Sequence, residues 1–374
     1  MRPGLIFTWP LTRYRDRTAV VFKDTRLTFA QMDAQINRLS RGLLSLGLKT
    51  GHKVAVLMNN SLESAVALLA IPRAGLTYIA LNTRHAAKEH AHILSDSESD
   101  AVIVGHEFID RFEATFTSVA GLKHIIVTGQ PQTGHIAYDQ LVDGQPETIP
   151  DVDVDYQTDL ERIQYTSGTT GRPKGVAWTF QISTNVLTSV LINMDQPLGP
   201  GDVNLNCGPL THATGLLLMV YYSKGATNII LPRFDEEAVL KTIAQERVTS
   251  LLLIPTMLYR VLLSPEVESN DLSSVNRVWY GTAPMSVARL KEGIKVFGNV
   301  FRQNYGMTEI AQPITFLGPE DHIVDGTKIQ MKRLASAGKP AMGVELKVAD
   351  ENGNAATPGV IGFEEAQAIW NHYQ

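Results

Sequence analysis

Short apolar runs alternate with segments of helical period from Ala19 to Val127. Ala19 to Phe22 predicts a strand, and Thr28 with Gln31 three residues on forms a capping box that opens a helix. In that helix Phe29, Met32, Ile36, Leu39, Leu43 and Leu46 recur at spacings of three and four, which makes one stripe to lie on a sheet. Lys53 to Met58 is mostly apolar without clean alternation, the pattern of a strand covered on both faces. Ser61 to Ile71 reads as an apolar helix, and Ala101 to Val104 and His124 to Val127 as two further strands. Strand and helix in alternation predict a parallel sheet.

Gly129 to Thr158, rich in Gly, Pro, Gln and Asp, predicts an irregular connection with one short element. The rhythm then resumes with Asn228 to Leu231, a helix capped by Asp235, a buried strand over Ser250 to Pro255, Val275 to Tyr280, a helix begun by Ser286, and Asn299 to Arg302. Near the end, Glu345 to Ala349 and Val360-Ile361 flank Glu351-Asn-Gly-Asn354, a hairpin signal. The expected class is α/β, with a first lobe over 1–160, a second over 161–320, and a partial β subdomain with an atypical tail over 321–374.

Composition narrows the partners. Of 374 residues 44% are hydrophobic, which excludes disorder, and the formal charge of −5 comes without a basic block, so nucleic acid is not expected. Cys207 is the single cysteine, which forbids an intrachain disulfide and suits a reducing compartment. No run approaches the roughly 18 apolar residues of a membrane span. Met1 to Arg17 lacks the pattern of a secretory signal, so the expected location is the cytoplasm.

The chemistry concentrates in Tyr165-Thr-Ser-Gly-Thr-Thr-Gly-Arg-Pro-Lys-Gly-Val176. Gly168 and Gly171 let the backbone bend, the hydroxyls of Thr166, Ser167, Thr169 and Thr170 donate to anionic oxygens, and Lys174 brings a positive charge. Such a loop suits polyphosphate. It is not a Walker A sequence, because the Gly168-to-Lys174 spacing is wrong and a glycine follows the lysine.

This stretch resembles the phosphate-loop signature of the acyl-adenylate-forming superfamily, which includes acyl-CoA synthetases, firefly luciferase and peptide-synthetase adenylation domains. Pro209-Leu-Thr-His-Ala213, Tyr280-Gly-Thr-Ala-Pro-Met285 and Asn304-Tyr-Gly-Met-Thr-Glu309 agree with it in the family's order, and the likeness covers roughly Thr18 to Gly362. It implies a luciferase-like large domain of two βαβ lobes. Thr166 to Lys174 would hold the β- and γ-phosphates of ATP. Gly281, Thr282, Ala283 and Pro284 would run along the adenine, with Tyr305 stacking on the base, Asn304 bonding its edge, and Gly306 and Met307 completing that turn. Thr308 would meet the α-phosphate, and Glu309 with Thr166 would bind Mg²⁺. The implied reaction joins a carboxylic acid to AMP and then to coenzyme A.

His212 is expected to line the acyl-carboxylate site. The peptide-synthetase branch has an aspartate at about that motif, so histidine favours a plain, fatty-type acid over an amino acid. Phe180 departs from relatives, which often have histidine there, and Thr282 stands where many have glycine. No Thr-Gly-Asp, the family's ribose-binding triplet, occurs in the sequence. With the family's small lid domain absent too, the expectation is a truncated large domain impaired in catalysis. A nucleotide- or acyl-binding module that needs a partner lid, and an amino-acid-activating domain, are the alternatives, and a homodimer stays open. His85, Glu89, His90 and His92 resemble a metal cluster, but on a helix only His85/Glu89 and Glu89/His92 have facing spacing, so metal binding is not expected there.

Overall fold

The computed structural model describes residues 1–166, 172–349 and 354–355, without the side chains of 311–312. The expected capping box is formed: Thr28 Oγ1 accepts from the Gln31 amide while Gln31 Oε1 accepts from the Thr28 amide. The helix Phe29–Ser45 follows, with Phe29, Met32, Ile36, Leu39 and Leu43 wholly buried. Ser61 and Ser64 cap Leu62–Arg73 in the same reciprocal way. Ser286 precedes the helix Val287–Phe297 as expected, but its side chain makes no cap bond.

Among the described residues the strands form two sheets, one of nine and one of seven. In the smaller, Lys53–Leu57 lies between Thr77–Ala80 and Ala101–Gly105, all parallel. In the larger, Val203–Asn206, Ser250–Leu252, Arg277–Gly281 and Phe301–Met307 run parallel, and Ile310–Leu317 returns antiparallel. Period-two alternation sets the layers. Val54 and Val56 face a core shared with Val20, Leu68, Leu218 and Trp279, whereas Ala55 and Leu57 face Phe112 and Phe116 on the outer side. Across the larger sheet, Val21, Leu205, Leu251 and Val278 meet a second outer helical layer. Helices therefore lie between the sheets and outside each of them.

The sheets do not divide at residues 160 and 161. Thr18–Phe22 pairs parallel with Thr227–Ile230 in the larger sheet and carries Thr25–Thr28 with it. Leu160–Thr166 and Lys174–Thr179 close the smaller sheet beside Thr77–Ala80. Each sheet thus takes a hairpin from the other stretch of chain, because a strand's backbone groups are satisfied wherever a sheet edge accepts them. Residues 345–348, expected to be extended, join no strand, while an isolated antiparallel bridge links Ala349 and Ala355. The Asn-Gly turn at 352–353, Val360-Ile361 and the tail lie outside the described residues. Among the described residues no helix is long and apolar enough to cross a membrane.

Candidate active site

The antiparallel hairpin Leu160–Thr166 and Lys174–Thr179 pairs Thr166 with Lys174. The hydroxyl-rich loop is thereby held by its two ends. Ser167, Gly168, Thr169, Thr170 and Gly171 lie outside the described residues. Several side chains brace the loop's base. Tyr165 Oη donates to Asp96 Oδ2 at 2.7 Å, and the His92 ring meets the Pro173 carbonyl oxygen at 3.1 Å. A Cβ on Gly175 would come within 2.9 Å of Ile163 and 3.0 Å of the Tyr165 ring, so glycine lets the two strands close there.

The opposite wall comes from the larger sheet. Arg277–Gly281 runs beside Phe301–Met307, and Gly281 pairs with Asn304. Gly281 has φ 156°, and a Cβ there would stand 2.2 Å from the Asn304 carbonyl oxygen, so this close approach requires glycine. Met307 pairs with Ile310, which leaves Thr308 and Glu309 at the tip of a two-residue turn. Tyr305 is 39% exposed, a ring free to receive a flat partner. Among the described residues no group meets the buried Asn304 Oδ1, which so retains an acceptor for a ligand amino group.

Two bonds join these walls. Trp178 Nε1 donates to the Thr308 carbonyl oxygen at 2.9 Å, and Thr166 Oγ1 lies 3.5 Å from Glu309 Oε1. The two residues expected to share a cation, 143 positions apart, thus face each other. Their oxygens are the hard donors that suit Mg²⁺, which takes few protein ligands beside phosphate and water.

His212 immediately precedes the helix Ala213–Ser223. The residue is exposed and is not among those lining the cavity beside it, yet partial desolvation, then the nearby charges of His85 and Arg84, hold its pKa below the usual histidine value. The imidazole is therefore neutral near pH 7. Ala213, Leu216 and Leu217 from that helix join Val190, Trp279 and Gly281 around a cavity of about 40 Å³.

Residues 7–363 match the model of the AMP-binding enzyme family. The chain belongs to that family. It is 32% identical over 366 residues to a medium/long-chain-fatty-acid–CoA ligase, FadD8, of Mycobacterium tuberculosis, covering 96% of this chain and 62% of that protein. It is 30% identical to an indoleacetate–CoA ligase of Aromatoleum aromaticum, covering 96% of this chain and 69% of that one. The crystal structure of the inhibitor-bound N-terminal domain of FACL13 from Mycobacterium tuberculosis superposes with a TM-score of 0.85 at 28% identity, covering 95% of this chain and 86% of that domain. The chain thus spans about three fifths of the FadD8 length, and its relatives act on acids of different shape.

In this AMP-binding enzyme the apparent metal cluster has other employment. Glu89 Oε2 accepts from the Ala86 amide at 2.7 Å and so caps its own helix, a bond that leads in lowering its pKa. His90 is wholly buried, with Nε2 on the Asn82 carbonyl oxygen at 3.0 Å and its ring edge-on to Phe112. Cys207 is buried beside the Leu252 carbonyl, and burial pushes its thiol up to about 12, so no thiolate forms near neutral pH. Sequence reasoning missed Trp178, His92 and Asp96 as supports at the base of the hydroxyl-rich loop. In sequence the tryptophan carries only the signal of an apolar strand residue.

Proposed function

We propose that this AMP-binding enzyme activates a carboxylic acid, with a fatty acid as the favoured class, by adenylation with ATP, and that the acyl group then passes to coenzyme A. The observation that carries this reading is the meeting of Thr166 and Glu309 across the cleft, beside a free Tyr305 ring and the unpartnered Asn304 oxygen. One wall offers hydroxyl and cationic groups to phosphates, and the other an aromatic face and an acceptor to a base.

In the first step a carboxylate oxygen forms a bond to the α-phosphorus, the bond from that phosphorus to the bridging oxygen breaks, and pyrophosphate leaves with the electron pair. Both reactants are anions, so electrostatic neutralisation lowers the barrier most. Lys174 supplies a positive charge at the loop's end. Bound Mg²⁺ would neutralise phosphate oxygens, with Thr166 and Glu309 to hold it. Asn304 accepts from the adenine amino group and Tyr305 stacks on the ring, which fixes the nucleotide for in-line attack. His212, neutral near pH 7, donates a hydrogen bond to the substrate carboxylate without trapping it as an ion pair. In the second step the thiol of coenzyme A gives up its proton to solvent and its sulfur bonds to the acyl carbon, the bond from that carbon to the phosphate oxygen breaks, and AMP leaves with the electron pair.

Calorimetric titration with a non-hydrolysable acyl-sulfamoyl-adenosine tests the reading. Binding is expected, and Tyr305→Ala should weaken it by about tenfold or more, the cost of a lost base stack. Absence of binding by the parent chain to this analogue and to MgATP would sink the proposal.

A further inference from the structure

The cavity at the site, about 40 Å³, is too small for an extended alkyl chain, but a second and larger one of about 200 Å³ adjoins it. Leu216 lines both. The helix Phe180–Ile192 also runs past both, giving Leu187 to the larger cavity and Val190, three residues on, to the smaller. Residues i and i+3 share a helix face, so the two spaces follow one groove between this helix and Ala213–Ser223. Trp178, whose indole holds Thr308, forms part of the far chamber's wall. The amino-terminal residues Gly4 to Phe7 also line it.

The chamber's chemistry selects an apolar occupant. Phe180, Leu187, Leu216 and Met219 supply hydrocarbon. Its polar groups have partners: Ser183 Oγ donates to Glu161 Oε2 at 2.6 Å, Glu161 is paired with Arg162, Thr184 Oγ1 donates to the Phe180 carbonyl oxygen at 2.8 Å, Tyr156 Oη donates to the Arg2 carbonyl oxygen at 3.1 Å, and the ammonium of the exposed Met1 donates to the Val154 carbonyl oxygen at 2.9 Å. Among the described residues, none of the buried polar side-chain atoms that lack a partner belongs to a residue lining it. Such a space offers a polar ligand few free partners and an alkyl chain the gain of leaving water. Phe180, where the resemblance leads one to expect histidine, is 3% exposed and adds to that apolar wall.

We infer that this chamber receives the distal part of an unbranched medium-length acyl chain, reached past the side chain of Leu216, so that the substrate class is aliphatic with a tail beyond the reach of short or compact aromatic acids. The inference rests on the proposed adenylation site, because the carboxyl end must lie at His212 for the tail to point along this groove. Leucine is a suitable partition, since a change of its rotamer connects the spaces without moving backbone.

The test is calorimetry with butanoyl-, octanoyl-, decanoyl- and benzoyl-sulfamoyl-adenosine on the chain as it stands. Affinity should rise with chain length by up to about fourfold per added methylene, the transfer free energy of one buried CH₂. Met219→Trp fills the chamber from its floor, and Thr184→Phe fills it from a less buried position should the first variant fold poorly. Each should remove the gain of decanoyl over butanoyl while butanoyl binding persists. A flat length profile in the parent chain that still binds the butanoyl analogue overturns the inference, as does a length gain that survives in both folded variants. Failure of every analogue to bind instead removes the adenylation reading itself, and this one with it.

Discussion

The two ends of the larger sheet are built on opposite principles. Where its parallel strands begin, buried charges are paired. Arg277, 3% exposed, donates to Asp202 at 2.6 Å, and Arg302 grips Asp195 with two bonds of 2.6 Å while reaching the carbonyls of Asn276 and Val300. Where the same strands end, groups are left open: Tyr305 is exposed, Asn304 Oδ1 has no partner among the described residues, and Thr282 adopts φ 63°. One end is closed by buried ion pairs, that of Arg302 bidentate, and the other leaves polar and aromatic groups open. This matches the tendency of open α/β sheets to bind at the carboxyl ends of their strands.

Asp202→Asn gives the largest effect expected from breaking that contrast. The substitution leaves Arg277 buried without its counter-charge, and loss of one partner of such a pair costs about 3 kcal/mol or more. Asp202 also accepts from the Gly199 amide at 2.9 Å and from Thr249 Oγ1 at 3.2 Å, so it ties a loop and a strand as well as a charge. Urea denaturation should show the loss, while the folded fraction binds acyl-sulfamoyl-adenosine as before. A variant of unchanged stability but weakened binding would show that the two ends are not separate in role.

The second effect is smaller and depends on pH. His322 is buried, its Nδ1 2.7 Å from the Gly318 carbonyl oxygen and its Nε2 2.8 Å from Tyr280 Oη. The neutral tautomer with Nδ1–H satisfies both, donating to Gly318 and accepting from Tyr280. Burial holds its pKa below the free value of 6.5; the Gly318 bond and then Asp321 and Glu320 oppose this, while Arg302 assists. Because the unfolded chain then binds more protons, the contribution is full above pH 6.5 and is lost as pH falls through the folded pKa. The urea midpoint should therefore drop between about pH 7.5 and about pH 5.5. His90 shares the slope, since burial lowers its pKa too. His322→Gln should flatten the slope in part, and an unchanged slope would show that His322 does not titrate with unfolding.

What the sequence disclosed follows from how local each interaction is. The Thr28 capping box and the Phe29-to-Leu43 stripe are written within one helix, and both formed as expected. So did the covered strand Lys53–Leu57, whose apolar run needs no knowledge of its neighbours. The motif residues Gly281, Asn304 and Glu309 were legible because each motif is contiguous. Pairing of Val20 with Asn228, and of the Trp178 indole with the Thr308 carbonyl, joins residues more than a hundred positions apart. Any exposed sheet edge or carbonyl would satisfy those groups as well, so nothing in the local pattern marks the choice. His92 shows the converse. Its spacing argues only against a metal site, and in the fold its ring meets the Pro173 carbonyl at the base of the hydroxyl-rich loop.

Thr282 sharpens the comparison at its smallest scale. A β-branched residue at φ 63° pays a steric cost of about 1–2 kcal/mol that glycine avoids, while glycine brings back about 0.5–1 kcal/mol of unfolded-chain entropy. Thr282→Gly should therefore stabilise the fold by only about 0.5 kcal/mol, read from the urea midpoint. The same change removes a side chain from the wall of the 40 Å³ cavity, so bulkier acyl analogues should gain affinity relative to butanoyl. If stability falls and no analogue gains, Thr282 is held by favourable packing and is not a strained residue placed to narrow the entrance.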